Sequence, residues 1–182
     1  MRIAVRKTGL AMAMLAMVMA GSWTALDGAA SPQAPASEPA SPEAVVTSLY
    51  QSVTFQAGKT VDWEKVKSLF IPQAVIVLRS SPTEMSVFSR DGFVADFVGF
   101  IKQAKLEDRG FEEKILAAKT MVSGDIARAL VHYAAHVPGS SRPPQEGIDA
   151  FSLMKRDGSW RIVSVVNEVI RPGVPVPEEL RK

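Results

Sequence analysis

Cysteine is absent from the 182-residue chain. That excludes disulfides and a thiol-linked lipid, and leaves stability to the size of the core. Histidine occurs only at His132 and His136, too little for a metal centre of imidazole and thiolate ligands. No apolar run approaches the roughly 20 residues of a membrane span; "LAMAMLAMVMA", residues 10–20, stops at 11. A glycine-rich phosphate loop, a nucleotide motif and a Ser, His and Asp order are also missing, so nucleophilic and phosphoryl-transfer chemistry have no foothold.

An excess of charge is missing as well, once the amino terminus is set aside. Arg2, Arg6 and Lys7 precede the apolar run, and small residues follow it to "GAA" at Ala30. This is the three-part layout of a secretory signal peptide. We expect residues 1–30 to be removed on export to the periplasm or beyond the cell, with cleavage after Ala30 or, second, after Ala20. No stable membrane span is then left. The full chain has 21 basic and 19 acidic residues, and eighteen of each remain after residue 30, so a basic face for nucleic acid is not expected. Residues 31–42, "SPQAPASEPASP", read as a Pro/Ala/Ser-rich tether. One domain over 43–170 and a tail over 171–182 complete the expected organisation.

Ser41-Pro42-Glu43 has the order of a helix start: a hydroxyl cap, a proline where no N–H is missed, and an acid at the positive dipole end. The spacing predicts a first helix from there to about Gln56, burying Val46, Leu49, Tyr50, Val53 and Ala57, with Gly58 as its stop. A second, shorter helix is expected from Asp62, with Trp63, Val66, Leu69 and Phe70 inward and Pro72 as its end. "AVIVLR", residues 74–79, reads as a strand covered on both sides, and Met85 to Phe88 as a short strand. Ser89 caps a third helix with Phe93, Phe97, Ile101 and Ala104 inward. "EKILAAKTMV" and "IARALVHYAAHV" flank Ser-Gly-Asp at 123–125 as one hairpin. "GIDAFSLMKRDGSWRIVSVVNEV", residues 147–169, forms a second about Asp157-Gly158.

With Asp157 and Gly158 in the turn, Lys155 faces Trp160, Leu153 faces Ile162 and Phe151 faces Ser164. Alternation then puts Asp149, Phe151, Leu153, Trp160, Ile162, Val166 and Glu168 on one face, and Ala150, Met154, Val163 and Val165 on the other. Neither face is plainly polar. Helices on one side and a second subunit or further element on the other would cover both, so a homodimer is expected.

Three helices and one early strand followed by long antiparallel strands resemble the nuclear transport factor 2-like, or SnoaL-like, superfamily over about residues 43–170. The segments "SGDIARALVHY" (123–133) and "GIDAFSLMKRDGSWRIVSV" (147–165) carry the likeness most closely. They are similar to the last two hairpins of secreted bacterial members of unassigned activity. The resemblance implies an α+β cone, N-terminal helices packed on a strongly bent antiparallel sheet, with a pocket at the open end and often a dimer formed through the sheet. Ketosteroid isomerases, epoxide hydrolases, polyketide cyclases, dehydratases and many binders share that fold, so it leaves function open.

The candidate pocket residues are Tyr50, Trp63, Arg79, Tyr133, Asp149 and Glu168. Tyr50 matches the kind of position from which the isomerases donate to an oxyanion, whereas "QAVIVLR" offers only Val77 and Leu78 where their acid would stand, so the general base is missing there. Asp149 and Glu168 lie near the ends of neighbouring strands, on the Trp160 face by the pairing above; they read first as solvated strand-end acids, and second as a pair for acid and base work at the mouth of an apolar cavity. Arg79 can pair with one of them. In "HYAAH" the two histidines are about 13 Å apart on a strand, so no metal is expected, and His136 should sit opposite Glu113. No cofactor is expected. The leading expectation is a binder of a small apolar or amphipathic molecule without an identifiable catalytic set. An isomerase, epoxide-hydrolase-like hydrolase or dehydratase is the alternative, and an interaction module with a filled pocket the third.

Overall fold

The computed structural model describes residues 39–79, 81 and 83–181. The expected signal peptide and most of the tether lie outside them. Seven strands, β1 (Phe55–Gln56), β2 (Phe70–Arg79), β3 (Met85–Ser89), β4 (Gly110–Ser123), β5 (Ile126–His136), β6 (Gln145–Arg156) and β7 (Ser159–Val169), form one sheet in the order β1-β4-β5-β6-β7-β2-β3. All neighbours are antiparallel except β2 and β7, which run parallel. Helices α1 (Pro42–Val53), α2 (Trp63–Ser68) and α3 (Arg90–Gln103) pack on this large, curved, unclosed sheet. This is the α+β cone that the resemblance implies.

The capping residues act as the sequence predicts. Ser41 Oγ accepts from Ala44 N at 3.2 Å, Asp62 Oδ1 from Lys65 N at 3.0 Å, and Ser89 Oγ from Gly92 N at 3.1 Å. Helix α1 ends three residues before the expected Gln56. Phe55 and Gln56 leave it to pair with Phe111 and Gly110, and Thr54 Oγ1 accepts from Glu113 N at 2.9 Å. A sheet partner thus outweighs one more helical turn, and Ala57 is exposed.

Pro72 is likewise not a helix end. It lies inside β2, between Phe70 and Val75, where the register against β7 shifts. A residue without an N–H is tolerated where the ladder is interrupted. β2 is covered on one side only, because Val75 is 45% exposed while Ile76 is buried.

The turn of the last hairpin has Asp157 at φ 51° and Gly158 at φ 82°, positive at both central positions as a type I′ turn requires. Lys155 pairs with Trp160 and Leu153 with Ile162, as counted from the sequence. The count then fails. Ser152 pairs with Ser164, so Val163 is a bulge and Phe151 meets Val165 rather than Ser164. A second bulge, at Leu116, falls between the pairs Ile115 with Tyr133 and Ala117 with His132. After β7 the chain folds back: Arg171 bridges to Val174, and Leu180, in a short 3-10 turn that contacts β4, is 3% exposed.

Candidate functional site

Between α1, α3 and the inner sheet face lies a cavity of about 220 Å³, with Leu49, Val53, Phe93, Phe97, Leu78 and Val165 on its apolar walls. Its polar end is assembled from five elements. Tyr50 on α1 donates through its hydroxyl to Asp149 Oδ2 on β6 at 2.6 Å. Asn167 on β7 donates through Nδ2 to Asp149 Oδ1 at 2.8 Å and to the Tyr133 hydroxyl on β5 at 2.9 Å. Glu113 reaches the cavity from β4. Tyr133 owes its place to Gly147 on the paired strand: a Cβ there would stand 2.4 Å from the Tyr133 hydroxyl oxygen.

Burial governs the ionisation of this end, because a low-dielectric setting disfavours the charged form. It pushes the Asp149 carboxyl up from its ordinary value, against the pull of its hydrogen bonds from Tyr50 and Asn167. Burial, and then the neighbouring Asp149, push the Glu113 carboxyl up to about 8. Both tyrosine hydroxyls are raised, by burial first and by Asp149 second.

Of the residues expected to line a pocket, Tyr50, Arg79, Tyr133 and Asp149 do line this cavity. Trp63 does not. Its ring packs on Phe97 of α3, centroids 5.6 Å apart, and lines a smaller pocket with Phe55, Val98 and Ile101. Glu168 also leaves the inner face, because the Val163 bulge reverses the alternation and turns Asn167 inward in its place. Glu168 instead accepts from Arg79 Nη2 at 2.7 Å and from Arg171 Nη1, and these two guanidiniums hold its carboxyl down to about 2. Asp149 is not the solvated strand-end acid that its position suggests, since it is engaged by two donors inside the cavity.

Glu113 and Asn167 were not legible as site residues. The Leu116 bulge moves Glu113 opposite Ala135, and His136 opposite Glu112, so the expected Glu113–His136 pair does not form. Alternation with the buried Phe111 was the available signal for Glu113. His132 pairs with Glu146, Nε2 to Oε2 at 2.7 Å. No group of three or more His, Cys, Asp or Glu that could hold a metal occurs among the described residues, and no described helix is long and apolar enough to cross a membrane.

A curved antiparallel sheet around N-terminal helices, with a cavity at their junction, defines a protein of the nuclear transport factor 2-like, or SnoaL-like, superfamily. Within it, the chain belongs to the family described as "Putative lumazine-binding", whose model matches residues 43–167. Many solved structures share the fold, among them the following three. An NTF2-like protein of unknown function from Pseudomonas putida has 10% identity and a TM-score of 0.57, over 77% of this chain and 93% of that one. A protein of unknown function with a cystatin-like fold from Nostoc punctiforme has 13% identity and a TM-score of 0.54, over 72% and 89%. An NTF2-like protein with a cystatin-like fold from Novosphingobium aromaticivorans has 19% identity and a TM-score of 0.50, over 60% and 70%. No curated protein matches the chain.

Proposed function

We propose that this domain binds one small molecule of one or two rings in the cavity, its apolar body against Leu49, Phe93 and Phe97 and its polar head at Tyr133, Asn167 and Glu113. One observation carries the reading. The Tyr133 hydroxyl accepts from Asn167, and its own proton meets no acceptor among the described residues, so a buried donor faces the cavity. Buried polar groups left without partners are costly unless a ligand or water completes them. A volume of about 220 Å³ exceeds the ~150 Å³ that accommodates benzene in an apolar core, which counts against a pocket filled by its own side chains. The family description supports the reading by naming lumazine, a fused two-ring heterocycle with carbonyl and N–H groups.

Gly147→Ala tests it, because the added methyl displaces Tyr133 from Asn167. In NMR titrations with lumazine and a panel of one- and two-ring compounds, binding should shift the Tyr50 and Tyr133 ring signals. The variant should bind about tenfold more weakly, the equivalent of about 1.4 kcal/mol. If no compound moves those signals, the reading is wrong.

A proton-transfer enzyme is the second reading, favoured by the Glu113 carboxyl, which stands at about 8 and can give or take a proton near neutral pH. The Tyr50 hydroxyl already donates its hydrogen bond to Asp149, so Tyr133 would supply the donor to a developing oxyanion. Exchange of a bound ligand's acidic C–H for deuterium, lost in Glu113→Gln, is its signature.

Export and pairing through the sheet belong to the same proposal. The three-part amino terminus supports the first. The second is supported by Val75, Met85, Val87 and Val166, each 45–69% exposed on the strands that end the sheet order. Expressed whole in a bacterium, the protein should leave the cytoplasm about 20 to 30 residues shorter and scatter light as two chains. Full-length protein held in the membrane overturns the first half, and a one-chain mass at every concentration overturns the second.

A further inference from the structure

Three sets of acceptor oxygens converge on the polar end of the cavity. Asp149 takes hydrogen bonds from Tyr50 and Asn167. Asn167 turns Nδ2 toward both Asp149 and Tyr133, which leaves its carbonyl Oδ1 as a further acceptor. Asn167 is 7% exposed, and no donor among the described residues reaches that oxygen. Glu113 makes its hydrogen bonds to Thr54 through its backbone, and its carboxyl has no hydrogen-bond or ion-pair partner among the described residues. The cation on the cavity wall, Arg79, engages Glu168 through Nη2 at 2.7 Å.

Resting on the small-molecule reading above, we propose that the head of the ligand is an organic cation, a protonated primary amine on an apolar ring, seated against Glu113, Asn167 Oδ1 and Asp149. An ammonium group offers three donors, which match these three acceptors, and the Tyr133 proton is then left to a water in the cavity. Aromatic rings complete the receptor, since they attract cations to their faces: Tyr50 has its centroid 6.0 Å from that of Tyr133 and 6.3 Å from that of Phe151. Above about pH 8, where Glu113 is charged, an anionic head would meet a carboxylate of its own sign and bind poorly.

Proton linkage gives the site a second signature. Facing Glu113 are Tyr50 from α1, Tyr133 from β5 and Asp149 from β6, and Arg79 from β2 lines the same cavity. The tyrosines stay neutral and Glu113 titrates at about 8. A bound cation favours the charged carboxylate, so below that pH binding releases a proton. Affinity therefore climbs as pH rises, by at most about tenfold per pH unit, and levels above about 8.

The full chain, titrated calorimetrically with benzylamine, benzyl alcohol and benzoate, tests the proposal with one ring and three charges. Benzylamine should bind about tenfold more tightly than benzyl alcohol, as expected for a charge-assisted hydrogen bond, with benzoate the weakest, and its affinity should rise between pH 6 and 8. Glu113→Gln should remove the advantage of benzylamine over benzyl alcohol and, with it, the pH slope. Benzoate or benzyl alcohol binding as well as benzylamine overturns the charge selection and leaves the pocket reading standing. A preference for benzylamine that survives Glu113→Gln and Asp149→Asn together also overturns it. If none of the three binds, the charge selection fails, and if the wider panel is also silent at the two tyrosines the pocket reading fails with it.

Discussion

Glu113→Gln is expected to stabilise the protein at pH 8 and above, and to flatten the loss of stability that the unaltered chain shows as pH rises from about 4.5 to about 8. The sign follows from linkage. The folded state holds the Glu113 proton up to about 8, against an ordinary value of 4.5, so the folded form binds more protons and stability falls as that proton is removed. Each pH unit between the two values is worth about 1.4 kcal/mol, which sets a ceiling near 5 kcal/mol. Water entering the open cavity screens part of this, and a gain of about 2 kcal/mol is expected. Denaturant unfolding of both proteins from pH 4.5 to 9 checks it: the stabilities should converge at the acid end and separate on the alkaline side. Equal stability at pH 9 would mean that the carboxyl is hydrated.

The second large effect is on the core. Trp160 is 5% exposed and belongs to the cluster that holds Val131, Phe151 and Ile162. Trp160→Ala should lower unfolding stability by about 3 to 5 kcal/mol through lost burial and the cavity left behind. Met121→Ala, at a side chain 64% exposed on β4, should change stability by no more than about 0.5 kcal/mol. Denaturant midpoints at matched slopes separate the two, and a loss below 1 kcal/mol at Trp160 would contradict its placement.

Local chemistry was legible wherever one residue decides the outcome. Ser41, Asp62 and Ser89 cap the helices they precede, and the Asp-Gly turn sets the first pairs of the last hairpin. What could not be read were places where tertiary pairing overrides a local rule. Pro72 looked like a helix end because nothing nearby announces the parallel partner of β2, some ninety residues further along the chain. Val163 and Leu116 are apolar residues on apolar strands, and neither carries the glycine that marks many bulges. Yet each shifts the register by one, exchanging Glu168 for Asn167 in the cavity and breaking the expected Glu113–His136 pair. Tyr50, Tyr133 and Asp149 are legible because α1, β5 and β6 carry no bulge, the extra residues lying on β4 and β7.

The polar end of the cavity joins parts of the chain that are remote in sequence: the Tyr50–Asp149 hydrogen bond spans 99 positions and the Tyr133–Asn167 bond 34. The two late hairpins close over turns of a few residues, but the wall between α1 and β6 exists only when both halves of the domain are in place, after the entropy of a long loop has been overcome. A molecule that fills the cavity touches both halves at once and finds no counterpart of the site in a partly formed chain. It therefore acts as a reversible cross-link on the finished fold, and by mass action its binding free energy adds to the stability of the whole domain.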